Sequence, residues 1–138
     1  MKTMGLDVGE KTIGVAVSDG LGWTAQGITT LKWTEPDFGT ANEALEKLIK
    51  EHDISRMVIG LPKNMNGTVG PRGEASKDFG RKVEEVFQIP VVFWDERLTT
   101  MAAERVLLTA DVSRKKRKKV IDKMAASIIL QSYLDANQ

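Results

Sequence analysis

Met4-Gly5-Leu6-Asp7-Val8-Gly9-Glu10-Lys11-Thr12-Ile13-Gly14-Val15-Ala16-Val17-Ser18 decides how the rest of the chain must fold. Its two apolar, β-branched runs, Met4 to Gly9 and Thr12 to Ser18, are interrupted by Gly-Glu-Lys, the pattern of two antiparallel strands joined by a tight turn. A third strand is expected within Thr29 to Trp33, after the turn-rich Asp19-Gly20-Leu21-Gly22, and Pro36-Asp37 end it. Helix and strand then alternate. Thr40-Ala41-Asn42-Glu43 has capping-box spacing, and Ala41, Ala44, Leu45, Leu48 and Ile49 recur at helical intervals, so a helix runs to about His52. Met57 to Leu61 is a short apolar run ending at Pro62, as in a strand buried on both faces. A loop from Lys63 to Gly73 with an Asn66-Gly67 turn follows. Phe79, Val83, Val86 and Phe87 mark a second helix, Val91 to Trp94 a fifth strand, and further helices are expected over Thr100 to Thr109 and Ile121 to Ala136. A hairpin meander followed by crossovers belongs to the α/β class: a mixed five-stranded sheet flanked by helices. At 138 residues the chain suits one domain, 1–138.

Hydrophobic residues make up 41% and charged residues 28%, the composition of a folded chain. The absence of cysteine excludes disulfides, thiolate metal sites and a cysteine nucleophile. Asp7 breaks the N-terminal apolar run too early for a signal peptide, and no stretch approaches the ~18 apolar residues of a membrane span, so a cytoplasmic protein is expected. The formal net charge of +1 hides an asymmetry. Six of the 20 bases, Arg114, Lys115, Lys116, Arg117, Lys118 and Lys119, stand in one run, which leaves 14 bases against 19 acids elsewhere, a balance of −5.

Three acidic sites stand where chemistry is plausible. Asp7 lies near the end of what should be a buried central strand, where an ionised carboxylate needs a cation or a hydrogen-bonding partner. Asp95 and Glu96 end the fifth strand, and alternation sends them to opposite faces, so only one turns easily toward Asp7; position alone does not choose. Asp122 shares a helical face with Ala125, Ala126, Ile129, Leu130 and Tyr133, the face that must pack on the sheet. Read singly, each has a plainer role: a turn starter, a strand end paired with Arg97, a helix N-cap. Together they could meet at one edge of the sheet, where their repulsion makes sense mainly around cations. Oxygen donors without cysteine favour Mg²⁺ or Mn²⁺, and the chemistry allowed is two-metal phosphodiester hydrolysis without a side-chain base.

The basic run beside Asp122 has no aromatic or acidic interruption and reads as a mobile loop or frayed helix end whose natural partner is a nucleic-acid backbone. If all six charges met phosphates, the log-log salt slope would be about −5 on duplex DNA. Lys63, Asn64, Asn66 and Arg72 in the loop after Pro62, with Lys11 and Arg97 beside the acids, are the further expected contacts.

Asp7-Val8-Gly9-Glu10-Lys11-Thr12-Ile13-Gly14-Val15-Ala16, Ile59-Gly60-Leu61-Pro62-Lys63-Asn64-Met65-Asn66-Gly67-Thr68, Asp95-Glu96-Arg97-Leu98-Thr99-Thr100 and Asp122-Lys123-Met124-Ala125-Ala126 resemble the successive motifs of the YqgF (RuvX) family. The resemblance spans nearly the whole chain and implies an RNase H-like fold and a metal-dependent nuclease, acting in 5′-end processing of pre-16S rRNA or as a Holliday junction resolvase of the RuvC type. It also implies that Asp7 is the first-strand acid of such enzymes and Asp122 the acid of their last helix. RuvC-type enzymes carry a glutamate at the end of the fourth strand, whereas here that strand ends Gly60-Leu61-Pro62. The role passes to Glu96 or Asp95, with Glu96 favoured, so Asp7, Glu96 and Asp122 are the expected catalytic residues and, with Asp95, the expected metal ligands.

An ATPase of the actin and sugar-kinase type shares an Asp-x-Gly hairpin but needs two such domains and a second Gly-rich motif. A P-loop is excluded, because the hairpin lacks the Gly-Lys pair and puts an acid in the anion cradle. The remaining rival is an RNA- or junction-binding protein that does not cleave. A resolvase would be a homodimer and an RNA-trimming enzyme could be a monomer.

Overall fold

The computed structural model of the chain describes residues 2–97 and 114–137, with side chains from 124 onward in the second stretch. Its elements are β1 (Lys2–Val8), β2 (Thr12–Ser18), β3 (Ala25–Lys32), α1 (Gly39–Glu51), β4 (Ile54–Leu61), α2 (Pro71–Phe87), β5 (Val91–Asp95) and α3 (Arg114–Ala136). The sheet order is β3-β2-β1-β4-β5. β1 pairs antiparallel with β2, placing Asp7 opposite Gly14, and parallel with β4, placing Leu6 opposite Ile59. β5 adds parallel to β4. The mixed five-stranded sheet expected from the hairpin is therefore the one observed, with β1 at its centre.

Strand alternation sorts the side chains into two layers. Met4, Leu6 and Val8 of β1, Ile13 and Val15 of β2, and Met57 and Ile59 of β4 face one way, against Ala41 and Leu45 of α1 and Phe79 and Val83 of α2. Leu6 and Ile13 are fully buried, and each such side chain contributes about 1.5–3 kcal/mol. The intervening residues face α3, where Ala16 and Val58 meet Ala126, Ile129, Leu130 and Tyr133. α3 lies very close to the sheet over Gly5, where a methyl group would be 2.7 Å from Leu130 Cβ and 3.1 Å from the Ala126 carbonyl oxygen. Any side chain at residue 5 would lift the helix.

Several boundaries differ from expectation. β3 begins at Ala25, not Thr29, because an exposed edge strand needs no apolar alternation. The capping box at Thr40 does not form: α1 starts at Gly39, and the Thr40 hydroxyl is taken by the preceding turn, donating to the Asp37 carbonyl at 2.7 Å and accepting from the Thr34 amide at 2.9 Å. α2 starts at Pro71, a favoured first helical residue, so Arg72 sits in its first turn and not in a loop. Of the two readings of the basic run, a loop or a helix end, the second is found: α3 is continuous from Arg114, because Arg and Lys are good helix formers whatever their charge. The helix expected over Thr100 to Thr109 lies outside the described residues.

Candidate active site

Alternation along β1 sends Asp7 to the face of Gly5, under α3. Gly14, opposite Asp7, is the floor between them: a methyl group there would touch Asp7 Cβ at 3.6 Å and Ala126 Cβ at 3.4 Å. Asp7 thus stands beside the first described side chains of α3. Asp122 lies one turn before Ala126 on the same helix, and its side chain is outside the described residues.

Glu96 follows β5 directly. Val92 and Trp94 pack with the α3 layer, whereas Val91 and Phe93 pack with the other, so the residue two after Trp94 continues on the α3 side. Trp94 is held there by an edge-on ring contact with Tyr133 at 5.6 Å and an Nε1 hydrogen bond to Ser132 Oγ at 3.0 Å. Glu96 reaches across the end of β4 to Asp7, and the two carboxyl groups share a hydrogen bond. Burial above all, then the Asp7 charge, that hydrogen bond and the Asp95 charge, push the Glu96 carboxyl up to about 8, against a smaller opposing pull from Arg72. At neutral pH Glu96 is the protonated donor of the pair.

The route of Glu96 depends on Gly60. A methyl group on Gly60 would overlap Glu96 Oε1 and lie 2.6 Å from Ile129 Cδ1 and 3.0 Å from Glu96 Cδ. A glycine inside a buried apolar strand signals a close approach, but the sequence did not say of what.

Asp95 turns the other way. Its carboxylate takes Arg97 Nη2 at 2.7 Å and Nε at 3.1 Å and accepts from the Arg97 amide at 3.0 Å, and the hydrogen bonds to that guanidinium hold it below the usual carboxylate range. The plainer expectation for Asp95, a strand end paired with Arg97, is thus the arrangement found. Arg97 also donates to the carbonyl oxygens of Asn64 and Met65 at 3.4 and 3.3 Å, and Lys63 adds positive charge near Asp95. Asn64 is exposed and donates from Nδ2 to Thr68 Oγ1 at 2.9 Å.

Arg72 is more committed than a free phosphate contact. Its Nη1 lies 2.7 Å from Glu35 Oε1, and its Nη2 donates to the Val8 carbonyl oxygen at 3.1 Å, directly after Asp7. Glu35 carried no signal in the sequence beyond an acid before Pro36. Lys11 is exposed in the β1–β2 turn, at the Asp7 end of the sheet. Arg114, Lys115, Lys116, Arg117, Lys118 and Lys119 occupy the first turns of α3, about 10–18 Å along the helix from Ala126 at 1.5 Å per residue; their side chains lie outside the described residues.

Two carboxyl groups pressed together around one proton form a pair that a hard divalent cation would relieve, and oxygen donors suit Mg²⁺ or Mn²⁺. Among the described residues no group of three or more acids or histidines is placed to hold a metal. Asp7 and Glu96 could offer two donors, and a third would have to come from outside that set.

Known proteins share this geometry and sequence to different degrees. A protein from Oceanobacillus iheyensis named "Putative pre-16S rRNA nuclease" is 70% identical over 135 residues, covering 98% of each chain. One of the same name from Bacillus subtilis (strain 168) is 61% identical over 136 residues, covering 99% of each. RuvC of T. thermophilus, solved in complex with a Holliday junction substrate, superposes with a TM-score of 0.61 at 13% identity, covering 99% of this chain and 95% of that one. That likeness establishes the RNase H-like fold. With the RuvX family, described as Holliday junction resolvase, matching residues 1–136, the chain belongs to the RuvX family.

Proposed function

We propose that this chain is a divalent-metal-dependent nuclease that hydrolyses phosphodiester bonds in pre-16S rRNA, with Asp7, Glu96 and Asp122 as its metal ligands. The observation that carries the reading is the Asp7–Glu96 pair: two carboxyl groups, one on β1 and one directly after β5, brought into contact at one end of the mixed sheet. The names of the curated relatives support the rRNA substrate. Asp122 joins the set because it stands one helical turn before Ala126, which flanks Asp7 across Gly14.

Mg²⁺ or Mn²⁺ held there supplies an activated water and positive charge for the departing oxygen. The chain's own residues prepare the place. Arg72 ties the end of β1 to Glu35 and so fixes the backbone that carries Asp7. The Asp95–Arg97 pair braces the end of β5 against the Asn64–Met65 loop and fixes the backbone that carries Glu96. Glu96 must release its proton before it can ligate, which couples metal uptake to pH. The exposed Lys11 and Asn64, the partly buried Lys63, and the bases of α3 guide the nucleic-acid backbone, as a monomer or homodimer in the cytoplasm. The family's description favours a second substrate, the four-way DNA junction.

The deciding experiment incubates the purified chain with a pre-16S rRNA 5′ precursor and with a four-way junction, with Mn²⁺ or with EDTA, and maps the ends. Mn²⁺-dependent ends on the RNA are expected. Cleavage of the junction alone would transfer the reading to resolvase, and binding of either without cleavage would make the chain a binding protein.

A further inference from the structure

We infer that Gly60 is a positioning residue, whose missing side chain is what allows Glu96 to reach Asp7. The inference rests on the nuclease reading for its catalytic meaning, but its geometry stands apart from that reading.

β4 passes between β1 and β5 in the sheet, so a side chain leaving β5 toward Asp7 must cross it. It crosses at residue 60. Leu6 pairs with Ile59, and Gly60 pairs with Trp94, so Gly60 is the β4 position between the carriers of the two acids. Alternation puts the missing side chain of Gly60 on the α3 face: Ile59 packs with α1 and α2, and Val58 packs with α3. The Glu96 carboxyl group fills that space, and a methyl at residue 60 would overlap its Oε1.

What yields to such a methyl is decided by stiffness. The atoms in its way are Glu96 Oε1 and Cδ and Ile129 Cδ1, all near the far ends of side chains, and no backbone atom is among them. At Gly5, by contrast, the obstructing atoms are Leu130 Cβ and Cα and the Ala126 carbonyl oxygen, so a methyl there would move the helix. Gly60→Ala therefore leaves the fold in place and displaces Glu96. The β4 residue beside Asp7 thus decides whether the second acid can come from β5.

The test reads the Asp7 carboxyl carbon by ¹³C NMR in the metal-free protein at fixed pH, with the resonance assigned from Asp7→Asn. In Gly60→Ala the signal should move to its position in Glu96→Ala, and the double variant should look like Glu96→Ala alone. An Asp7 signal that stays at its wild-type position in Gly60→Ala would overturn the inference. Should Gly60→Ala not fold, the double variant decides: folding restored by Glu96→Ala places the overlap at Glu96, and continued failure places it elsewhere and sinks the proposal. In cleavage, Gly60→Ala and Glu96→Gln should each lose about 30-fold or more with no further loss on combination, whereas multiplying losses would show independent roles. A wild-type chain that cleaves neither substrate would end the nuclease reading and leave the NMR result to judge Gly60.

Discussion

Glu96 donates a hydrogen bond to Asp7 across the end of β4, so the folded chain holds at neutral pH a proton that the unfolded chain would release. A carboxyl group raised to about 8 from an ordinary 4.5 adds stability that is fully present below the lower value and is lost as pH rises through the higher one. The metal-free protein should therefore lose on the order of 2–4 kcal/mol between pH 5 and about 8.5, seen as a falling urea midpoint. Glu96→Gln keeps the donor without the charge and should flatten that slope. Mn²⁺ should stabilise more strongly at pH 8 than at pH 6, because binding must displace the proton. A flat wild-type profile in EDTA would contradict the pairing.

Asp7→Asn removes one charge from the pair while keeping its size and an oxygen that can accept from Glu96. Cleavage should fall by about 100-fold or more, while the melting temperature in EDTA stays level or rises, since the folded state no longer holds an ionised carboxylate against the Glu96 carboxyl group. Nucleic-acid affinity without metal should change little. Undiminished cleavage by the purified variant would remove Asp7 from the mechanism.

Much of this arrangement was legible in the chain. β2 falls where its residues were read, and the hairpin fixed the central place of β1, because Met4, Leu6 and Val8 alternate against Gly5 and Asp7 and so declare which face carries the acid. Val91-Val92-Phe93-Trp94 declares no face, since β5 is apolar on both sides. The choice between Asp95 and Glu96 thus depended on packing, namely on Trp94 seated against Tyr133. Glu35 was invisible for a similar reason, because its pairing with Arg72 joins residues 37 apart with no local pattern between them. The basic run reads two ways by composition: six like charges in a row suggest a loop or a frayed helix end, and because each residue favours a helix it is the helix end that is found.

Arg72 is the residue whose expected role changes most. Its guanidinium makes two contacts with Glu35 and one with the Val8 carbonyl, in a partly exposed setting. Arg72→Met should destabilise by about 1–2 kcal/mol in urea unfolding, and Arg72→Lys should recover little, because a lysine cannot bridge both partners. Glu35→Gln should cost about as much, and the double variant should fall short of the sum. A free phosphate contact would behave otherwise: Arg72→Met would change the salt dependence of binding and leave Glu35→Gln neutral.

The helical course of the basic run changes what its charges can do together. Six consecutive residues of an α-helix sweep past one full turn, so one nucleic-acid backbone cannot lie along all of them. At about 100° per residue Lys115, Lys116, Lys118 and Lys119 fall within one arc of about 160°, with Arg114 and Arg117 outside it, so about four should engage at once, which lowers the expected log-log salt slope for this segment from about −5 to about −3.6 on duplex DNA. Replacing Lys115, Lys116, Lys118 and Lys119 by Gln should weaken binding most at low salt and reduce the measured slope by about 3–4. Titrations of wild type and variant across several salt concentrations measure both quantities. A slope reduced by only about 1 would contradict a shared lysine face, and an unchanged slope would make the run a bystander.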